Sequence, residues 1–263
     1  LILLRISISI LKSSLNEKFV PSNKYLLVSK DDMLLVFDKW ADINQELATY
    51  FFRNACGFTG TPNEKKFKKL IGKKKSSINI LFNKNETNKL ENLDLSVSSK
   101  WLSSDLINDI SSFEKKINQK PFSTFFGGYL ETRAVYDSAD YEIFTERGVE
   151  NRTTHLGVDF WVNEKTPINS IEDGTIKIIT NDKTRKGYGG LIIIEHSLGN
   201  LKFYSLYGHL TDQKKSKLKV GDFVEKGGKI AEIGSVKENG GWSPHLHFQI
   251  MLTLLDYKND FPG

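Results

Sequence analysis

The stretch SPHLHFQIM, residues 243–251, places His245 and His247 one residue apart in a chain with only five histidines. Successive side chains of an extended strand point to opposite faces. His245, His247 and Gln249 then share one face, and Leu246, Phe248 and Ile250 the other. Two imidazoles at i and i+2 on one face can reach a common point a few ångströms above a sheet. A pair of surface histidines is the blander alternative. A second candidate pair, His155 and Asp159, lies in THLGVDFWV (154–162). Gly157 and Val158 argue against a helix, so an extended or bulged segment turns both side chains toward one point. An imidazole and a carboxylate are a familiar zinc pair, and three protein ligands plus an open position define a catalytic zinc site. His209, in LYGHL (206–210), ends an apolar strand after a glycine. Alone, such a histidine is usually structural. His196, in IIIEHSLGN, falls at a hairpin end beside Gly199 and Asn200 and is left outside the site.

The elements that must position these residues are short. From about residue 121 the runs GTIKIIT, GLIIIEH, LKFYSLYGH, GKIAEIG and HLHFQIM are rich in β-formers and separated by glycine-containing turns. No long amphipathic helix interrupts them. The expectation is a mainly β domain over 121–263, an antiparallel sheet, sandwich or partly open barrel. Residues 1–57 read as helical, because LILLRISISILKSSL and SKDDMLLVFDKWADINQELATYFFRNA carry apolar residues at three- and four-residue intervals. Residues 58–120 have low apolar content and read as a linker or loosely packed arm, partly ordered at LDLSVSS, with a possible helix in SSDLINDISSFEKKINQ.

Composition narrows the classes. With 39% hydrophobic and 26% charged residues the chain is an ordinary globular protein. Its single cysteine, Cys56, excludes an internal disulfide. The net charge of +5 is mild, and much of it sits in KKFKKLIGKKK (65–75). That run reads as a solvated face. It lacks the interleaved aromatics and motifs of a nucleic-acid binder. The opening residues lack the basic n-region and small-residue cleavage site of a signal peptide, and no run is long and apolar enough to span a bilayer. The chain starts at Leu1 and stops at DFPG, which suggests a fragment of a longer polypeptide. A cytoplasmic location is expected from this stretch, with export to the cell wall if the full-length chain carries a signal.

Taken in order, H-x-x-x-D, Y-G-H and H-x-H on short strands resemble the lysostaphin/LytM-type zinc metallopeptidases, many of which cut peptide cross-links in bacterial cell walls. The surrounding GVDFWVNEKTPINSIEDGTI, YGGLIIIEH, LKVGDFVEKGGKIAEIG and PHLHFQ carry the resemblance over roughly residues 125–255. It implies one Zn2+ held by His155, Asp159 and His247, with His209 and His245 catalytic, and a peptide or peptidoglycan-derived substrate. All five positions are intact. Two departures stand beside the site: Gln249, where the family commonly has an acid, and the inserted Trp242. A weaker resemblance, in LDLSVSS, GGYLETR, YGHL, NGGWSPHLHFQ and DFPG, is to large fused bacterial proteins. In these a phosphotransferase-like kinase domain precedes the metallopeptidase-like domain and an aminotransferase domain follows it. Residues 1–57 would then be the kinase-like domain's tail, and the β domain a non-catalytic zinc or binding module.

The mechanism that the resemblance implies is a zinc-activated water. His245 would move protons and His209 would donate to the oxyanion. There is no H-E-x-x-H helix, so a glutamate base of that type is excluded. Tyr204, Tyr207 and Trp242 are candidates for lining a peptide groove, or simply for packing.

Overall fold

An uninterrupted apolar run, Leu191–Ile194 in GGLIIIEHSL, has to be buried on both faces, and the architecture is built around it. The computed structural model describes residues 63–72, 78–82, 90–99, 109–118, 124–133, 135–136, 141–145, 148–254 and 261–263. The expected helical segment 1–57, with Cys56, lies outside the described residues. Among the described residues the α-helices are Glu64–Ile71 (α1) and Ile110–Asn118 (α2). The strands run Leu90–Asn92 (β1), Thr124–Gly127 (β2), Glu131–Thr132 (β3), Glu142–Thr145 (β4), Gly148–Asn151 (β5), Thr154–His155 (β6) and Val158–Trp161 (β7). They continue with Pro167–Asn169 (β8), Gly174–Asp182 (β9), Gly189–Leu198 (β10), Leu201–Leu210 (β11), Phe223–Val224 (β12), Lys229–Glu232 (β13) and Leu246–Met251 (β14). Eight of them form one sheet in the order β1-β2-β7-β14-β11-β10-β9-β12. All its pairings are antiparallel except β1 with β2. The mainly β expectation holds.

Alternation sorts the side chains onto two faces. Ile192 and Ile194 enter a core with Phe160, Ile168, Ile176, Tyr207, Leu210 and Leu246. Leu191 and Ile193 point the other way, into a smaller cluster with Tyr188, Leu206 and Phe261. Leu246 and Phe248 face the first core, so His247 and Gln249 fall on the opposite face, as the period of two requires.

The packing does not stop at the expected boundary near residue 120. Leu81 and Phe82 are each 1% exposed and sit inside the main core. The Phe82 ring meets Phe160 edge-on at 5.6 Å. Leu93 and Leu95 form a third cluster with Phe125 and Trp161, against which Phe113 and Ile117 of α2 pack. The segment expected to be a linker therefore supplies β1 and parts of two cores, and Lys65–Gly263 forms one compact unit. The physical reason is local. Four apolar side chains spaced through polar sequence raise mean hydropathy very little, yet each fills a specific gap. The described part of the lysine run lies on α1, where Lys65, Lys66, Lys68 and Lys69 are exposed while the Phe67 ring packs 5.2 Å from that of Phe203.

A chain starting at Pro121 should accordingly be markedly less stable than one starting at Lys65. In the longer chain Phe82→Ala should cost about 3–5 kcal/mol. Urea unfolding checks both, and equal midpoints for the two chains would show that the arm contributes nothing to the core.

Candidate active site

Strand register brings the proposed ligands together. His247 lies directly opposite Asp159 in the antiparallel β14–β7 pair, and cross-strand neighbours of this kind sit about 5 Å apart. His155 arrives from β6, which is anchored by pairing with β3. Gly157 lets the three approach, because a Cβ there would lie 2.5 Å from His247 Nε2. His155, Asp159 and His247 are all buried, and their ligand atoms lie within 4.8 Å of one another.

The proton positions in this group follow from its acceptors. His155 Nδ1 is 2.7 Å from the Gly128 carbonyl, which can only accept, so Nδ1 carries the proton and Nε2 a lone pair. His247 Nε2 is 3.1 Å from Gln249 Oε1, so it donates and Nδ1 carries the lone pair. These two bare nitrogens face each other at 2.9 Å. Each is 3.2 Å from Asp159 Oδ1, and that oxygen, though buried, makes no hydrogen bond. Two lone pairs and an orphaned carboxylate oxygen at mutual contact repel one another unless a cation lies among them. The donor set, two imidazoles and one carboxylate, fits a tetrahedral divalent metal with one position left open.

Arg133 and Glu131 complete the group, and neither stood out in the sequence. Arg133, 5% exposed, donates from Nη1 to Asp159 Oδ2 at 2.7 Å and from Nε to Glu131 Oε2 at 2.6 Å. Glu131 Oε1 in turn accepts from the Leu95 backbone N–H at 2.8 Å. Burial pushes the Asp159 pKa up, but His155 and Arg133 outweigh it and hold the carboxyl well below the usual carboxylate range. Burial lowers the pKa of His155 against the pull of Asp159, leaving it neutral as a ligand must be.

His209 and His245 lie alongside, with ring centroids 4.2 Å apart. His245 Nε2 is 3.8 Å from Asp159 Oδ1, and its ring stacks on Trp161 at 5.6 Å. Both are fixed in the same tautomer: His209 Nδ1 donates to Asn239 O at 2.9 Å, and His245 Nδ1 to Ser243 O at 2.7 Å. Each therefore presents a lone pair at Nε2. Burial lowers the His245 pKa to about 4, and burial with the neighbouring His245 and His247 drives that of His209 well below 6.5. His209 also has φ +62, a left-handed backbone rare for a non-glycine residue. Its N–H donates to Tyr188 O, and its carbonyl accepts from Gly234 N. Asn239, fully buried, also holds Trp242 in place, accepting from its backbone N–H at 3.0 Å and donating to its carbonyl at 2.9 Å. The Trp242 ring stands 6.3 Å from His209 and 6.5 Å from both His245 and Tyr136.

Other candidates fall outside this group. Tyr207 is fully buried, its hydroxyl taking the Ile171 N–H at 2.9 Å, and Tyr204 bonds Glu195 at 3.2 Å. Both are packing residues and not groove walls. His196 is buried between Asp173 O and Ser205 Oγ, outside the site as expected.

Residues 153–258 match the model of peptidase family M23. This stretch is similar to the M23 peptidases. The chain is 39% identical across 104 residues to the glycyl-glycine endopeptidase ALE-1 of Staphylococcus capitis, an alignment covering 38% of this chain and 25% of that protein. It is 38% identical across 106 residues to lysostaphin of Staphylococcus staphylolyticus, covering 39% of this chain and 20% of that one. Among solved structures it is similar to the catalytic domain of lysostaphin from Staphylococcus simulans, at 32% identity over 42% of this chain and 75% of that one, with a TM-score of 0.33. The chain spans about a quarter or less of the length of the curated relatives it matches. These matches do not bear out the fused kinase and aminotransferase arrangement. The M23 segment contains the five expected residues, but Gly128, Glu131 and Arg133 precede it. Among the described residues no helix is long and apolar enough to cross a membrane.

The lowered pKa of His245 has a measurable sign. Its folded value of about 4 lies below the ordinary 6.5, so the unfolded chain binds more protons between the two. Stability from the neutral ring is complete above about pH 6.5 and is lost as pH falls toward 4, on the order of 3 kcal/mol for the full shift. Urea unfolding of chelator-treated protein should weaken steadily over that window, and less steeply in His245→Gln. Identical slopes would remove His245 as a source of the decline.

Proposed function

We propose that the M23-like domain is a zinc-dependent endopeptidase acting on peptide bonds of the cell-wall cross-link type. The observation that carries this reading is the convergence of His155 Nε2, Asp159 Oδ1 and His247 Nδ1, with no proton among them, beside two further imidazoles that present bare Nε2 atoms. Those three atoms would hold the zinc. When bound, zinc supplies Lewis acidity and lowers the pKa of a water to about 7, so that a nucleophile exists at neutral pH.

The chain's own groups move the protons. His245 is neutral at pH 7 and accepts at Nε2 the proton that the attacking water loses. Its Nδ1–H bond to Ser243 O holds the ring in place and steadies the imidazolium that forms. That imidazolium then donates from Nε2 to the departing amine, which leaves as a neutral amine as the C–N bond breaks. His209 has the same Nδ1-protonated form, so in its neutral state its Nε2 accepts a hydrogen bond, from the attacking water or the substrate N–H, and does not donate to the oxyanion. This modifies the simple oxyanion-donor role expected from the sequence. Arg133 keeps Asp159 charged and aimed. Trp242, half-buried beside His209 and His245, offers an apolar contact to a peptide with small side chains. The relative described as a glycyl-glycine endopeptidase supports glycine-rich cross-bridges as the first substrates to test.

Zinc content and cleavage of a panel of cross-bridge and glycine-rich peptides test the assignment. His247→Ala should lose metal and activity together. His209→Ala and His245→Ala should keep zinc near the parent level while hydrolysis falls by a factor on the order of 10²–10³. Undiminished cleavage by His245→Ala would make the histidine pair structural. A parent chain that binds zinc fully and cleaves no peptide would be a non-catalytic zinc module.

A further inference from the structure

The His247 tautomer depends on Gln249, and a glutamine side chain does not decide a tautomer by itself. Its oxygen accepts and its nitrogen donates, and the two ends have nearly the same shape. With the oxygen toward His247, Nε2 of the ring must carry the proton and Nδ1 is free for a metal. With the amide reversed, the NH2 group would demand a lone pair at Nε2, the proton would move to Nδ1, and the ligand atom would be blocked. The partner of the other end makes the choice. Gln249 Nε2 lies 3.1 Å from the carbonyl oxygen of Pro262, which can only accept. Reversing the amide would set two oxygens against each other at that distance, in a site where Gln249 is 7% exposed.

Pro262 is itself held from both sides. Phe261, 2% exposed, is inserted among Tyr188, Leu191, Ile193 and Leu206 on the site's face of the sheet. Gly263 lies so close to Tyr188 that a Cβ would fall 1.5 Å from the phenolic oxygen. The Tyr188 ring is in turn 5.3 Å from that of His247. All three residues lie beyond the matched segment 153–258.

We propose that Phe261–Gly263 is a positioning element for the metal centre, acting through the Pro262 carbonyl and the Gln249 amide to keep the His247 proton on Nε2 and its Nδ1 open to the metal. This rests on the ligand assignment made above for His247. It places in a short chain segment, remote in sequence from H-x-x-x-D, a control on how tightly the metal binds. It also gives Gln249 a function that differs from that of a carboxylate at the same position. A carboxylate accepts from Nε2–H in either orientation and would need no second group to orient it.

Competition for Zn2+ against chelators of graded affinity, on the full chain, is the test, with thermal unfolding of the metal-free proteins alongside to confirm folding. Gln249→Leu should weaken zinc binding by a factor of about 10–100, the usual effect of removing a group that orients a ligand. Phe261→Ala, which frees Pro262 from its anchor, should weaken it in the same direction. Gln249→Glu keeps an acceptor for Nε2–H but sets its second oxygen against the Pro262 carbonyl, so it should lose far less affinity than Gln249→Leu, and adding Phe261→Ala, which lets Pro262 move away, should cause no further loss. Parent-like affinity in Gln249→Leu would overturn the proposal, as would an equal loss from Phe261→Ala with glutamine or with the Gln249→Glu change present. Failure of the parent chain to bind zinc at all would instead overturn the ligand assignment on which the proposal rests.

Discussion

A carboxylate has to stay ionised where it is almost wholly shut off from bulk solvent. Asp159 is 1% exposed, and an unpaired buried charge would shed its ionisation rather than persist. The fold meets this constraint from several directions. Arg133 occupies one oxygen, and imidazoles from two strands surround the other. Arg133 is also buried and needs company, which Glu131 supplies, and Glu131 is tied to the backbone of Leu95. Each compensation creates the next requirement, so the charge at the centre reaches out as far as the segment before β2.

That chain of dependence explains which parts of the site were legible in the sequence. The period of two in HLHFQIM puts His245, His247 and Gln249 on one face with no tertiary information, and the strand obeys it. The spacing of His155 and Asp159, with a glycine between, also marks itself. Arg133 and Glu131 do not, because the sequence ETR in GGYLETR is equally at home on a surface. Only the β2–β7 register, with Gly127 opposite Asp159, brings the following loop over the carboxylate. Asn239 and Pro262 carry even less local signal, since Asn239 meets His209, and Pro262 meets Gln249, through backbone carbonyls that any residue possesses.

The same reasoning covers the elements. Strands with continuous β-branched runs were recognisable because burial on both faces demands such runs. Leu81, Phe82, Leu93 and Leu95 were not, because a few apolar side chains in polar surroundings give no periodicity. Tyr204 and Tyr207 show the opposite difficulty: an aromatic near a site looks like a groove wall until its hydroxyl is found bonded elsewhere, that of Tyr207 inside the core and that of Tyr204 to the half-buried Glu195. Where a residue's neighbours are set by its own strand, the pattern is sufficient. Where they are set by a distant strand, it is silent.

The backbone of His209 carries a further meaning. A left-handed conformation at a residue with a Cβ costs of order 1–3 kcal/mol, and here it is enforced by bonds from Tyr188 and Gly234. A glycine at this position would relax the backbone and remove the imidazole together. The imidazole at this point of β11 is therefore held against the preference of its own backbone, at a cost that the surrounding sheet has to carry.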